Sequence, residues 1–236
     1  MRIGITGDTH GDQAYTQIYK AKKMGFDMLI VCGDFGYIWN PRLNPKQEKQ
    51  LDYINNIGIK ILFVDGNHEC FTELEKYSTT KMFGDDVQVI RENIIHLMRG
   101  RVYNIDGNKI FTFGGAKSQD RECRTLNKTW WNEEVPTRAE MSWGFQRLVQ
   151  KSDYKDEIEV DYIITHDIFP RAGKELLGHQ GEFIGFNHFL NGINKMVDYK
   201  CWYFGHYHKN QYIPDYKCQC LYKEIVELGQ IYCWHI

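Results

Sequence analysis

MRIGITGDTHGDQ, residues 1–13, begins as an apolar stretch in which Ile3 and Ile5 alternate with small or polar residues, and it stops at Gly7-Asp8-Thr9-His10-Gly11. That alternation predicts a strand leaving the N-terminus. Glycines alone suffice for a turn, so the carboxylate of Asp8 and the imidazole of His10 are either turn residues or ligands. Asp12 is the expected N-cap of a helix that carries Tyr15, Ile18 and Tyr19 at helical spacing.

The same arrangement recurs twice. DMLIVCG (27–33) is a continuous apolar run suited to a strand buried on both faces. NPRLNP (40–45) reads as a loop, and KQEKQLDYINNIG (46–58) as a helix that Gly58 terminates. IKILFVDG (59–66) is the third strand. Gly7-Asp8, Gly33-Asp34 and Gly66-Asn67 therefore mark three successive strand ends. In alternating α/β chains, ligands bind where the loops after the strands converge.

The middle of the chain is less regular. GRVYNIDGNKIFTFGG (100–115) predicts a hairpin turning at Asp106-Gly107. The polar stretch 116–141 departs from any sheet pattern and runs into a helix over 142–152. VDYIITH (160–166) and KCWYFGHYH (200–208) are strands, with a glycine-rich loop and a helix through FNHFLNGINKMV (186–197) between them. The tail from Cys220 predicts a last strand pair turning near Gly229. No repeat or linker interrupts the chain, which reads as one domain over 1–236 with an inserted, cap-like element near 116–152.

Composition narrows the function. Hydrophobic residues at 42% and charged residues at 25% are ordinary for a globular protein. A formal net charge of −2 argues against a surface built to hold long nucleic acid. No apolar run approaches membrane-spanning length, and the N-terminus has no secretory pattern. Seven cysteines without a framework spacing suit free thiols and a cytoplasmic location. The 14% aromatic content predicts a rich core, with pocket stacking on a planar ligand as the alternative.

The polar residues at strand ends are Asp8, His10, Asp34, Asn67, His68, His166, His206 and His208, and they include five of the nine histidines. Carboxylate, amide oxygen and imidazole form a donor set for Mn, Fe, Zn or Co rather than Ca or Cu(I). A set this large exceeds one four-coordinate metal and suits two metals that share a carboxylate. A lone strand-end histidine is more often structural, which is the reading for His96, His179, His188 and His235. Cys201, Cys218, Cys220 and Cys233 lack the spacing of a zinc site and read as buried thiols.

The ordered blocks GDTHG (7–11), GDFG (33–36), GNHE (66–69), THD (165–167) and GHYH (205–208) resemble the signature of calcineurin-like metallophosphoesterases. The resemblance implies an α/β (α+β) fold, a two-sheet β-sandwich flanked by helices (αββα). It implies two divalent metal ions, manganese first, with iron, zinc, cobalt and nickel as alternatives. Asp8, His10 and His208 would bind one metal, Asn67, His166 and His206 the other, and Asp34 would bridge them. A bridging hydroxide would attack phosphorus in line. His68 would serve as the catalytic residue at the leaving oxygen, and Glu69 would support the site from behind.

The second block here runs GDFGYIWN (33–40) and lacks the Asp-Arg pair by which Ser/Thr protein phosphatases and symmetrical dinucleoside tetraphosphatases continue it. The insert resembles that of small bacterial phosphoesterases, which read GGA-x-S-x-D, then Arg, WW, and E with P. Residues 99–128 hold seven Lys/Arg against three Asp/Glu. Arg124, on the family Arg, is the first candidate for a substrate phosphate, with Arg121 and Lys117 as alternatives. Trp130 and Trp131 are expected to pack the insert onto the body rather than stack on a base. The expected activity is hydrolysis of a small phosphorylated substrate, a nucleotide first, as phosphodiesterase or phosphatase. A metal-dependent nuclease is the alternative, and a non-catalytic scaffold of the same fold comes last.

Overall fold

In this computed structural model, residues 1–151, 158–179 and 181–231 are described, with Asp12 and Gln13 described in backbone only. The first half runs β1 (Ile3–Thr6), α1 (Asp12–Lys23), β2 (Met28–Val31), α2 (Pro45–Asn55), β3 (Lys60–Phe63), the one-turn α3 (Phe71–Leu74), β4 (Thr79–Met82), β5 (Asp85–Arg91) and β6 (Ile94–Leu97). Then come β7 (Arg101–Ile105), β8 (Asn108–Phe113), α4 (Arg138–Lys151), β9 (Ile158–Glu159), β10 (Tyr162–Thr165), α5 (Pro170–Leu177) and α6 (Gly185–Met196). β11 (Val197–Asp198), β12 (Cys201–Phe204), β13 (Gln211–Ile213), β14 (Cys218–Cys220) and β15 (Val226–Glu227) complete the described chain.

The strands form two main mixed sheets, ordered β15-β1-β2-β3-β6-β5-β4 and β13-β14-β12-β10-β8-β7, and β9 and β11 pair separately in parallel. β1, β2, β3 and β6 run parallel in the first sheet, as do β8, β10, β12 and β14 in the second. Period-two alternation sorts their apolar residues into layers. Met28, Ile30, Leu62, Ile110, Ile164 and Tyr203 share the core between the sheets. Leu29, Val31, Ile61 and Phe63 face Ile18 of α1 and Leu51 of α2. On the far side, Phe111, Ile163 and Trp202 meet Ala172 of α5 and Leu190 of α6. Each such residue stabilises the fold by roughly 1.5–3 kcal/mol. The result is the two-sheet, helix-flanked sandwich that the resemblance implies.

Local chemistry sets the boundaries. Asn44 Oδ1 accepts from the Lys46 and Gln47 amides at 3.0 Å, and Gln47 Oε1 accepts from the Asn44 amide at 3.1 Å. This capping box starts α2 at Pro45. The cap of α1 falls on Gly11 (φ 71°) instead of Asp12, which becomes the first helical residue. Gly11 takes the left-handed turn that returns the chain from the His10 loop, so no side-chain cap is made. The Asp106-Gly107 turn has both residues at positive φ, 52° and 81°, as a tight hairpin of this hand requires.

β4, β5, β6, β9, β11 and β13 were not legible. β4, β5 and β6 extend the first sheet, and β4 is an exposed edge strand that gives the sequence no apolar alternation to read. In the predicted C-terminal pair, β15 joins β1 antiparallel. Residues 232–236 and Ser152, the end of the insert, lie outside the described residues. No described helix is long and apolar enough to cross a membrane.

Behind β3 lies a buried ionic cluster. Arg99 Nη2 and Nε reach Asp65 Oδ2 at 2.6 and 2.8 Å, while His96 bridges Asp65 and Gln88. His96 is thus structural, as expected. Burial alone would raise the Asp65 carboxyl, but the Arg99 charge and the His96 hydrogen bond hold it down at about 2. A carboxyl held below its unfolded value stabilises the fold above about pH 4 and loses that contribution as pH falls towards 2. Asp65→Asn should therefore cost about 3 kcal/mol at pH 6, with the gap to wild type shrinking below pH 3 in urea unfolding. A gap independent of pH would contradict this account.

Candidate metal centre

The parallel register aligns the strand ends. Ile30 pairs with Leu62 and Val31 with Phe63, so the loops after β1, β2 and β3 leave the sheet at one edge. The loops after β10 and β12 leave the second sheet there too, and the Gly205 amide donates to the His166 carbonyl at 3.0 Å. Five of these loop residues adopt left-handed backbone: Asp8 (φ 50°), His10 (41°), Asp34 (49°), His206 (65°) and His208 (51°). Such conformations cost non-glycine residues of order 1 kcal/mol and are common at functional sites. Glycines clear the space. A Cβ on Gly66 would meet Asp34 Oδ1 at 2.1 Å, and one on Gly33 would meet His166 Nδ1 at 2.3 Å.

Two groups of donors result. In the first, His10 Nε2 lies 2.5 Å from Asp8 Oδ1, His208 Nε2 lies 3.1 Å from Asp8 Oδ2, and the two imidazole nitrogens are 3.1 Å apart. In the second, His166 Nε2 lies 3.1 Å from Asn67 Oδ1, and the His206 ring packs edge-on against His166 at 5.1 Å. Asp34 Oδ2 stands between the groups, 3.7 Å from His10 Nε2 and 3.5 Å from His166 Nε2. His68 donates its backbone N–H to Asp34 Oδ1 at 2.8 Å and holds its ring 5.0 Å from that of His10.

The donors fit divalent cations. Both Asp8 oxygens are fully buried, and among the described residues no backbone or hydroxyl donor meets them, only the imidazoles of His10 and His208. Burial would raise the Asp8 carboxyl, yet His10 and His208 hold it well below its ordinary range. Asp34 is likewise opposed by burial but held at about 2, chiefly by His166. Burial would lower His166, and Asp34 outweighs it to push the imidazole up to about 10. The two buried carboxylates thus favour positive charge on the neighbouring imidazoles, and a divalent cation would supply that charge more fully. The distal nitrogen of His166 is already engaged: Nδ1 bonds the Cys32 carbonyl at 2.8 Å, which leaves Nε2 for the site.

Other residues hold this arrangement. Glu69 accepts from the Phe35 amide at 2.7 Å and from the Gly66 amide, tying the loops that carry Asp34 and Asn67. Burial, with Asp34 adding to it, pushes the Glu69 carboxyl up to about 8. Tyr222 stacks on His208 at 4.7 Å, and Trp39 lies 5.3 Å from His68, neither flagged by any sequence block. Ser118 and Glu134 lie within the insert pattern, but no role at the site is assigned to them there. Asn67 Nδ2 donates to Ser118 Oγ at 3.0 Å, and Ser118 Oγ donates to Glu134 at 2.7 Å.

Of the three candidate phosphate-binding residues, Arg124 meets the site. Its Nη1 and Nη2 lie 3.0 and 3.1 Å from the His68 ring nitrogens, and Asp120 steadies its Nε at 2.8 Å. Burial and the Arg124 charge overcome Asp34 to bring His68 down to about 4. Arg121 is engaged with Glu134 and lies over Trp130, while Lys117 pairs with Glu182. Cys201, Cys218 and Cys220 are buried free thiols, and no cysteine joins a ligand cluster among the described residues. Cys233 and His235 lie outside the described residues.

A family model described as calcineurin-like phosphoesterase matches residues 1–210. The protein TT1561 of Thermus thermophilus superimposes with a TM-score of 0.54 at 11% identity, over 94% of this chain and 88% of its own. A second solved structure gives 0.53 at 13% identity, over 93% and 89%. An archaeal phosphodiesterase aligns over 97% and 99% at 14% identity, too loosely at a TM-score of 0.39 to bear on the fold. These likenesses are of fold alone. No curated protein matches the chain significantly.

Proposed function

The chain belongs to the calcineurin-like phosphoesterase family and is a metal-dependent phosphoester hydrolase; on that premise we propose that it uses two divalent ions, manganese first, to cleave a small phosphorylated molecule, a nucleotide being the leading candidate. Asp8, His10 and His208 would hold one ion, Asn67, His166 and His206 the other, and Asp34 both. The observation that carries this reading is Asp34 Oδ2, which lies within 3.7 Å of a donor nitrogen from each group. Bound there, the ions would lower the pKa of a water and neutralise charge on the phosphoryl oxygens.

The remaining roles belong to the chain's own side chains. Arg124 offers charge-assisted donors where a phosphate would approach His68. His68, near 4, is neutral before substrate arrives. A phosphate dianion beside it offsets the Arg124 charge and raises its affinity for the proton that the leaving oxygen needs. Apart from the donor groups, a cavity of about 790 Å³ whose lining includes Tyr15, Tyr37, Tyr53, Lys46 and Lys49 offers the aromatic faces and cations that a nucleotide would use. Its volume falls in the range of small-ligand sites.

Purified protein should lose hydrolysis of bis-(p-nitrophenyl) phosphate or p-nitrophenyl phosphate on chelation and regain it with Mn²⁺. Both esters left intact by the metal-loaded protein would overturn the proposal. His68→Ala should lower kcat by about 10²–10⁴-fold while keeping the Mn²⁺-induced rise in melting temperature. An unchanged kcat would remove His68 from the chemistry.

A further inference from the structure

The Glu134 carboxylate has no solvent exposure, although it lies in the insert and far from Asn67 in sequence. Oε1 accepts from the Ser118 amide at 2.8 Å and from Arg121 Nε at 2.6 Å, and Oε2 accepts from the Ser118 hydroxyl at 2.7 Å. The Glu134 carbonyl accepts from the Ala116 amide at 3.0 Å, which pins the two arms of the insert together at this point.

The polarity of this chain of bonds is fixed. A carboxylate paired with Arg121 only accepts, so the single hydroxyl hydrogen of Ser118 is committed to Oε2. The Ser118 oxygen therefore presents lone pairs to Asn67, and only the NH₂ end of the Asn67 amide can face it, as the 3.0 Å contact shows. The amide oxygen is left to face His166 Nε2 at 3.1 Å. Turned the other way, Asn67 would aim NH₂ at the site and offer no ligand. Burial removes the alternative of water as a partner, since Ser118 is 2% and Asn67 4% exposed.

We propose that Glu134, acting through Ser118, is a positioning residue that fixes the orientation of the Asn67 amide and thereby creates the second cation site. The insert is then part of the metal centre as well as a cover over it. This inference rests on the reading that Asn67 binds a cation. In Glu134→Gln the new amide can donate to Ser118, freeing the hydroxyl hydrogen to point at Asn67 and letting that amide turn. Ser118→Ala removes the acceptor outright.

The test is a Mn²⁺ titration of the full chain by calorimetry, followed by electron paramagnetic resonance. Wild type should take two Mn²⁺ and give an exchange-coupled signal. Both variants should bind the first Mn²⁺ with wild-type affinity and the second about 10–100-fold more weakly, giving isolated-ion spectra. Without metal, Ser118→Ala should melt near wild type, whereas Glu134→Gln should melt lower, because Arg121 loses its charge partner, yet remain folded. If either folded variant binds both ions as wild type does, or loses both equally, the positioning role is overturned. A wild-type chain that takes fewer than two Mn²⁺ overturns instead the two-ion reading beneath it.

Discussion

Asp8→Asn is expected to lower metal-dependent hydrolysis by about 10³-fold or more, because loss of a cation's stabilisation of a phosphoryl transition state amounts to several kcal/mol. The substitution is nearly isosteric, and the left-handed backbone at this position, φ 50°, suits Asn as well as Asp. Without the charge, an amide still faces the imidazoles of His10 and His208, so the metal-free fold should persist by circular dichroism. The cation loses its buried counter-charge. Wild type at Mn²⁺ a hundredfold above its Kd should gain about 2.7 kcal/mol of stability, and the variant should gain much less. Equal metal-induced stabilisation and equal turnover in the two proteins would show that Asp8 is no ligand.

Trp131→Ala should give the largest loss of stability, about 3–5 kcal/mol in urea unfolding of the metal-free protein. Trp131 is 2% exposed and belongs to the cluster with Ile38, Leu43 and Phe71, so it plugs the insert into the layer between the first sheet and its helices. Its carbonyl accepts from the Glu134 amide at 3.2 Å, which places the plug directly before the buried carboxylate. The Nε1 donor has no hydrogen-bond partner, so Trp131→Phe loses apolar area but also removes an unmet polar group and should cost distinctly less. A loss below about 1 kcal/mol for the alanine variant would mean that the insert is held elsewhere.

What the sequence makes legible follows from range. Each proposed ligand lies within a few residues of its own strand, so Gly33-Asp34 or Gly66-Asn67 can be read locally as a strand end bearing a donor. The buried strands of the first half are legible because both faces are apolar. β4 is not, since an exposed edge strand is specified by its partner β5 rather than by its own pattern. Asp12 misled because a cap residue and a first-turn acid look alike until the φ of Gly11 is known. Ser118 and Glu134 lie within the insert pattern, but their part at the site was not legible for a different reason. Ser118 stands 51 residues from the amide it orients, and neither residue type in the insert signals a partner. Arg124, Arg121 and Lys117 are equivalent by charge; the resemblance ranks Arg124 first, and the fold sets Arg124 beside His68 while the other two are engaged with Glu134 and Glu182.

The strand ends of both sheets contribute to each group of donors. Asp8 and His10 extend from the first sheet while His208 extends from the second; Asn67 extends from the first while His166 and His206 extend from the second. Each cation would therefore act as a clasp across the sandwich, gripping both leaves at the same rim. Between the leaves, cohesion is mainly oily and non-directional, with a few directional bonds such as that from His166 to the Cys32 carbonyl, and apolar contacts tolerate a slight slide. A clasp of fixed bond directions does not. Loading the centre would thus set the spacing and angle of the two leaves at the rim, and the geometry of the catalyst and the mechanical closure of its scaffold would be made by the same bonds.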